Sequence, residues 1–429
     1  MANETFSLID SVYGKQQSVS TSDAPVPLLG QDQRTLYDQK LVQWLESVGL
    51  QSDPFDARYL DAGSDPNLHA YLIGHRAFDA IWQANPAFVF APAGGGKTSF
   101  RVRLTRACRV GQDGRRIFPV VYKMQQIPTT KWPASLSDHL RPINRMIGAE
   151  ILMTLVAHPQ KFFNLSADAQ KELCELLYAN LPGELSNLLA QVEDRGDITP
   201  LVASFDPSAD NLFAPPDSDD VRQLCRDLLA WKERVVAVTM VPTAQDLYPH
   251  FQQLIALIQT VLGYEEVYLL VDGVDAYVEY VQRPAWAVQA LQPLLQEMAA
   301  WCGQKIYIKY FLPEELRPQL NFEKILPFGA ILNPCLVHIH WTREMLLQLV
   351  QERLFVASQG RYNSLDAICV PALRGVQYRL VDEVKPLPRE ILVLAGRILT
   401  EHIRRTENPG LLEPTDFQQA VDWYRETSA

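Results

Sequence analysis

The segment Ala91-Pro92-Ala93-Gly94-Gly95-Gly96-Lys97-Thr98 constrains this chain more than any other feature. It follows a short, continuous apolar run, Ala87-Phe88-Val89-Phe90, and precedes a stretch over 98–109 that suits a helix. An uninterrupted apolar run of this length predicts a buried parallel strand. Strand, glycine loop and helix, in that order, are the context that the phosphate-binding pattern G-x-x-x-x-G-K-[ST] requires. Gly96-Lys97-Thr98 fit the pattern, and Ala91 stands where its first glycine is usual. Chemistry explains the residue types. Glycines let the backbone wrap with its N–H groups turned inward on phosphate oxygens. A lysine brings positive charge to the β- and γ-phosphates, and the threonine offers a hydroxyl to Mg²⁺. A helix starting near Lys97 adds the positive end of its dipole. The predicted nucleotide-binding residues are therefore Ala93, Gly94, Gly95, Gly96, Lys97, Thr98 and Ser99, with ATP and Mg²⁺ as the predicted ligands.

Such a loop needs an acid at the end of a neighbouring strand to hold the magnesium water shell. Val267-Tyr268-Leu269-Leu270-Val271-Asp272 supplies five apolar residues and then an aspartate. Asp272 is the predicted metal partner beside Thr98. Asp275, three residues on, is placed to orient or deprotonate an attacking water, or to cap a helix.

Around these motifs, apolar runs predict further strands over 117–122, 266–272, 306–312 and 337–340, with helical patterns between them. Strands alternating with helices argue for α/β architecture, a parallel sheet flanked by helices. Residues 1–35 are polar, with Pro25 and Pro27, and read as a flexible tail, with 36–85 as an N-terminal helical adaptor. The core is expected over 86–340, interrupted by a helical insert near 139–260, and 341–429 reads as a C-terminal helical lid. The segment 204–220, rich in Asp, Ser and Pro, reads as a loop.

Composition sets the class. With 47% hydrophobic and 21% charged residues the chain is an ordinary globular one. A net charge of -11 counts against a dominant nucleic-acid surface. No stretch approaches the roughly 20 apolar residues of a membrane span, and residues 1–14 lack a signal-peptide pattern, so a soluble cytoplasmic protein is expected. Six cysteines, none in C-x-x-C spacing, read as reduced thiols rather than a zinc site.

Val271-Asp272-Gly273-Val274-Asp275 resembles the D-G-x-D element of STAND-type NTPases, a branch of the AAA+-like P-loop ATPases. Those proteins often carry Glu directly after the second Asp; here it is Ala276, a departure that bears on hydrolysis rate rather than on binding. Trp341-Thr342-Arg343-Glu344-Met345-Leu346 through Arg353-Leu354 resembles their first lid helix. Leu387-Pro388-Arg389-Glu390-Ile391-Leu392 resembles the start of their sensor-2 helix, which implies that Arg389 reaches back to the γ-phosphate. Residues 411–424 resemble the segment that closes such lids. The run 308–313 occupies the sensor-1 position, with Lys309 as its polar residue. Asp53-Pro54-Phe55 and Asp65-Pro66-Asn67-Leu68 resemble openings of bacterial STAND-like ATPases found beside defence or signalling genes. The resemblance implies an ATP- and Mg²⁺-dependent switch that binds and hydrolyses ATP to control a separate effector protein or its own oligomeric state. Lys97, Asp272, Asp275 and Arg389 would be its catalytic residues.

Other readings stand beside it. Arg101, Arg103, Arg106, Arg109, Arg115 and Arg116 cluster after the loop, as a solvated helix face or as a nucleic-acid contact of a DNA-acting AAA+ ATPase such as an initiator or transposition regulator. A non-catalytic nucleotide-binding scaffold and a small-molecule kinase use the same loop. Arg317 stands where an arginine finger would be expected, and as readily where a surface arginine would. His338 and His340 share one strand face, and read as structural in the absence of a third ligand.

Overall fold

The computed structural model describes residues 31–56, 68–71, 73–126, 134–181, 184–196, 219–235, 242–320, 334–406 and 410–428, with 198, 199, 201 and 204. The expected tail up to residue 30, the motif at 65–67 and most of the 204–220 loop lie outside these residues.

The first described element is helix α1 (Gln31–Ser47), which starts inside the stretch read as tail. Short α2 (Arg76–Ile81) leads to strand β1 (Ala87–Ala91), the glycine loop and α3 (Lys97–Arg109). After β2 (Ile117–Lys123) come α4 (Leu136–Ala157), α5 (Gln160–Phe163), α6 (Ala167–Asn180), α7 (Glu184–Arg195), α8 (Asp219–Val235) and α9 (Leu247–Thr260). The second half of the sheet is β3 (Glu266–Asp272), α10 (Val278–Gln282), α11 (Pro284–Gly303), β4 (Ile306–Pro313) and β5 (Cys335–His338). The C-terminal bundle is α12 (Arg343–Ala357), α13 (Val376–Glu383), α14 (Pro388–Arg405) and α15 (Pro414–Ser428).

All five strands are parallel, in the order β2-β3-β4-β1-β5. The strand carrying Asp272 is therefore not the immediate neighbour of the loop strand, because β4 lies between them. Parallel sheets need both faces covered, and alternation along each strand serves the two faces. Phe88, Phe90, Val120, Leu269, Ile308 and Tyr310 face the core built with α4, α9 and α11. Val89, Ala91, Leu270, Phe311 and Val337 face α2 and α3. The helices between β2 and β3 extend the first of these cores through Leu173, Leu189, Leu224 and Phe251. Buried His139 on α4 ties it to the sheet and to α11: its Nε2 donates to Ala290 O at 2.8 Å, and its Nδ1 accepts from Tyr122 at 2.8 Å. Burial drives its pKa down to about 4, so the neutral ring fits both roles.

A separate apolar core holds the C-terminal bundle together. Leu346, Leu354, Leu380, Ile391, Leu394, Phe417 and Ala420 form it, and Trp44, Leu45, Leu50, Phe55 and Ile73 complete it. The segment 36–85 is thus shared between two cores: α1 packs with the C-terminal helices, and α2 packs on the sheet. Asp416, wholly buried, fastens the bundle. Its carboxylate accepts from His402 Nδ1 at 2.8 Å, Arg405 Nε at 2.8 Å and the Glu413 N–H at 2.7 Å. His402 Nε2 and the Trp44 indole N–H both donate to Gly410 O, which joins α1 to α14.

Burial alone would raise the Asp416 pKa, but its three donors hold it below the ordinary 3.8. A carboxylate depressed in the folded state contributes stability that is present above its unfolded value and lost as pH falls through the folded value. Removing one partner of a buried charged network is strongly destabilising, so Asp416→Ala is expected to cost about 3–5 kcal/mol. Exposed Asp422→Ala should change stability by less than about 0.5 kcal/mol. Urea denaturation at pH 7 measures both, and the difference between the two variants should shrink in acid.

Candidate functional site

The site forms where β1 and β3 end, on the edge of the sheet that α3 leaves. Helix α3 begins at Lys97, capped by Gly96 in a left-handed conformation at φ +90°. Each loop glycine is required for its own reason. Gly94, at φ +74°, lies so close to Arg389 that an added Cβ would come within 2.8 Å of the arginine Cβ. A Cβ on Gly95 would stand 2.9 Å from both Ala91 Cβ and Pro92 O. A Cβ on Gly96 would meet the Trp341 ring at 3.3 Å. The alanine at position 91 fits here as a buried strand residue that packs beneath the loop.

Lys97 is buried and turned back into the loop. Its Nζ donates to Ala91 O at 3.1 Å and Pro92 O at 3.2 Å, and pairs with Asp275 Oδ2 at 3.0 Å. Those three acceptors hold the ammonium inside the loop. Thr98 and Ser99 follow in the first helical turn, half-buried, and Ala93 is exposed. Asp272 ends β3, and Gly273 at φ +74° turns the chain sharply, so that Asp272 and Asp275 both face α3. The cap alternative for Asp275 is not what forms. Asp275 lies inside the short turn Val274–Ala276, and Tyr277 precedes α10.

Asp272 is 4% exposed, and both of its oxygens already accept a hydrogen bond. Oδ1 takes the Gly273 N–H at 2.8 Å, and Oδ2 takes Arg101 Nε at 2.9 Å. Arg101 is itself only 2% exposed, an inward-facing member of the basic cluster. Its signal was its place on the same face of α3 as Leu104 and Cys108, three and seven residues on, which marks a charge pointed inward.

The C-terminal bundle reaches the loop at two points. The Trp341 indole N–H donates to Gly95 O at 2.9 Å, and the Arg389 backbone N–H lies 3.4 Å from Gly94 O. Pro388 at the first position of α14 leaves the Arg389 side chain at the helix start, exposed and beside Gly94. Trp341, which also packs against the bundle core, is therefore a loop contact. His75 backs it, with ring centroids 5.8 Å from Trp341 and 5.0 Å from Phe100. Its Nδ1 accepts from the Ala77 N–H and its Nε2 donates to His340 O, and burial holds its pKa below the ordinary value, consistent with a neutral ring.

Two assignments change. Lys309 does not reach the site: it pairs with Ala87 at the start of β1, and its Nζ donates to Gln83 O and Asn85 O at the far end of the sheet. Burial brings its pKa down to about 7. Four of the six arginines after the loop, Arg101, Arg103, Arg109 and Arg115, turn inward, whereas Arg116 is exposed and pairs with exposed Glu265. Arg109 forms a two-point pair with buried Glu150 at 2.8 and 2.6 Å, Arg103 donates to Ile73 O and stacks on Phe78, and Arg115 binds Glu266 and Tyr268. Arg317 is exposed and lies 3.8 Å from Glu314, and His338 stacks on Phe90 with Glu314 at 3.3 Å. Among the described residues no group of His, Cys, Asp and Glu is arranged to hold a metal, and no helix is long and apolar enough to cross a membrane. No protein-family model, curated protein or solved structure matches the chain.

Gly95→Ala should destabilise the protein by about 1–3 kcal/mol through its clash with Ala91 and Pro92. Gly303→Ala, where nothing lies within 4 Å of the added Cβ, is the control and should fall within about 0.5 kcal/mol of the parent or above it. Thermal unfolding compares the two.

Proposed function

We propose that the chain is a nucleoside-triphosphate-binding switch of the AAA+-like, STAND-type P-loop class, with ATP as its ligand. One observation carries this reading: the C-terminal bundle rests on the loop backbone itself, through Trp341 on Gly95 and Arg389 against Gly94. A ligand in the loop would displace or reorganise these contacts and so reset the bundle, which acts as a lid. Differential contact of this kind is what lets a ligand shift a conformational equilibrium.

The cradle fits a triphosphate. Its glycines leave no side chain between backbone and ligand, and the α3 N-terminus points into it. Lys97 would exchange Ala91 O, Pro92 O and Asp275 for β- and γ-phosphate oxygens. That exchange frees the Asp275 carboxylate to orient or deprotonate the attacking water, and Arg389 supplies the second positive charge from the lid. Hydrolysis is the expected activity, and Ala276 after Asp275 is consistent with a slow one. Mg²⁺ is the harder fit. Thr98 offers its hydroxyl, but Asp272 is already engaged by Arg101, so no step is assigned to the metal.

The internal pairing of Arg101, Arg103, Arg109 and Arg115 supports a protein or self-association output over a nucleic-acid one. The controlled partner is a separate effector chain or a second copy of this one, and a bacterial signalling or defence role follows from the sequence resemblance.

Wild-type protein should change mass or hydrodynamic radius when saturated with ATP, as read by size exclusion with light scattering. Lys97→Ala should lose at least about tenfold in nucleotide affinity, one charge-assisted contact to phosphate being worth about 1.5–3 kcal/mol, and should lose the shift with it. An ATP-bound protein with unchanged mass and radius would sink the switch reading and leave a scaffold. Phosphate transfer to a small-molecule acceptor would replace it with a kinase.

A further inference from the structure

The Arg101–Asp272 pair is the one charged contact of the site that the proposed function leaves without a role. Arg101 comes from the helix that begins at Lys97, one turn past Thr98, and its guanidinium is almost wholly buried against the carboxylate on which metal binding in this class of site depends. Lys97 meanwhile takes Asp275. Each acid facing α3 is thus neutralised by a cation of α3 itself. A hydrated Mg²⁺ binds to such a site through a free anionic carboxylate that accepts hydrogen bonds from its waters. Here one Asp272 oxygen is held by a guanidinium and the other by the Gly273 N–H. A divalent cation at Thr98 would also meet the like charge of buried Arg101, one turn along the same helix.

We propose that Arg101 is a positioning residue that holds Asp272 away from the metal, so that this loop binds triphosphate with the Arg101–Asp272 pair intact and gains little from Mg²⁺. The inference rests on the nucleotide-binding reading above. Mg²⁺ and the Arg101 guanidinium compete for the same carboxylate, and the charge that a metal brings to other sites of this kind is supplied here by the protein. The nucleotide is then recognised through Lys97, the loop N–H groups and Arg389.

The test is the binding of a fluorescent ATP analogue, measured in EDTA and in millimolar Mg²⁺, with the ratio of the two affinities as the readout. Wild-type protein should show a ratio within about threefold. Arg101→Gln, which leaves a polar side chain but releases the carboxylate, should bind at least about tenfold more tightly with Mg²⁺ than without it, because a hard oxygen ligand has been freed. Arg101→Met combined with Asp272→Asn removes both charges, the change that buried pairs tolerate best, and should return the ratio to near one. A wild-type ratio above about tenfold, or equal ratios in wild type and Arg101→Gln, would overturn the proposal while leaving nucleotide binding intact. If Arg101→Gln does not fold, the wild-type ratio and that of the double variant decide alone. Failure of wild type to bind the analogue under either condition is a different result: it removes the nucleotide reading itself. A merely structural role for Arg101 would lower thermal stability in the variant without moving the affinity ratio.

Discussion

The contact between Trp341 and the backbone of Gly95 is the interaction on which this architecture turns. Three consecutive glycines leave the loop without side chains, so whatever covers it must touch main chain. The indole N–H does so at 2.9 Å, and Arg389 closes on the adjacent Gly94. Trp341 and Arg389 belong to the start of the C-terminal bundle and to α14, so on the proposed reading a change at the loop would pass to a helical unit with its own apolar core. That unit is stiffened by the buried Asp416 network and by α1, which the chain sends across from its other end. The sheet acts as the fixed partner, with apolar cores on both of its faces.

Electrostatics inside the site are already balanced before any ligand arrives. Lys97 rests on two carbonyls and Asp275, and Arg101 rests on Asp272. Buried charges need such partners, and each pair fixes a side chain that a phosphate or metal would otherwise claim. On the proposed nucleotide-binding reading, ligand binding would be an exchange of partners, and the cost of that exchange would set which cations and anions the site accepts. Among the described residues Arg389 differs from these two, as an exposed arginine beside the loop that ends at no carboxylate.

Much of this could be read from the residues, for identifiable reasons. Continuous apolar runs gave β1, β2, β3 and β4 to within one residue at either end, because strands buried on both faces leave little room for polar interruption. The loop and the start of α3 followed from glycine geometry, and the start of α14 followed from the resemblance of 387–392 to a sensor-2 helix. Strand order did not follow, since β4 enters between β1 and β3 by pairing with β1 across more than 200 residues of sequence. Separation along the chain also hid the partners of the arginines. Arg101 meets Asp272 across 171 positions, so a buried pair was hidden among basic residues of which others, such as Arg116, do lie at the surface. Lys309 was misplaced because position along a strand, rather than strand identity, decides which end of the sheet a side chain serves.

Hydrogen–deuterium exchange with and without ATP tests most directly whether loop and bundle act as one device. The account predicts that nucleotide changes exchange together in the loop over 92–98 and in the segments at 341–345 and 387–391, with the sheet unaffected. Protection of the loop alone, with the bundle segments unchanged, would contradict it.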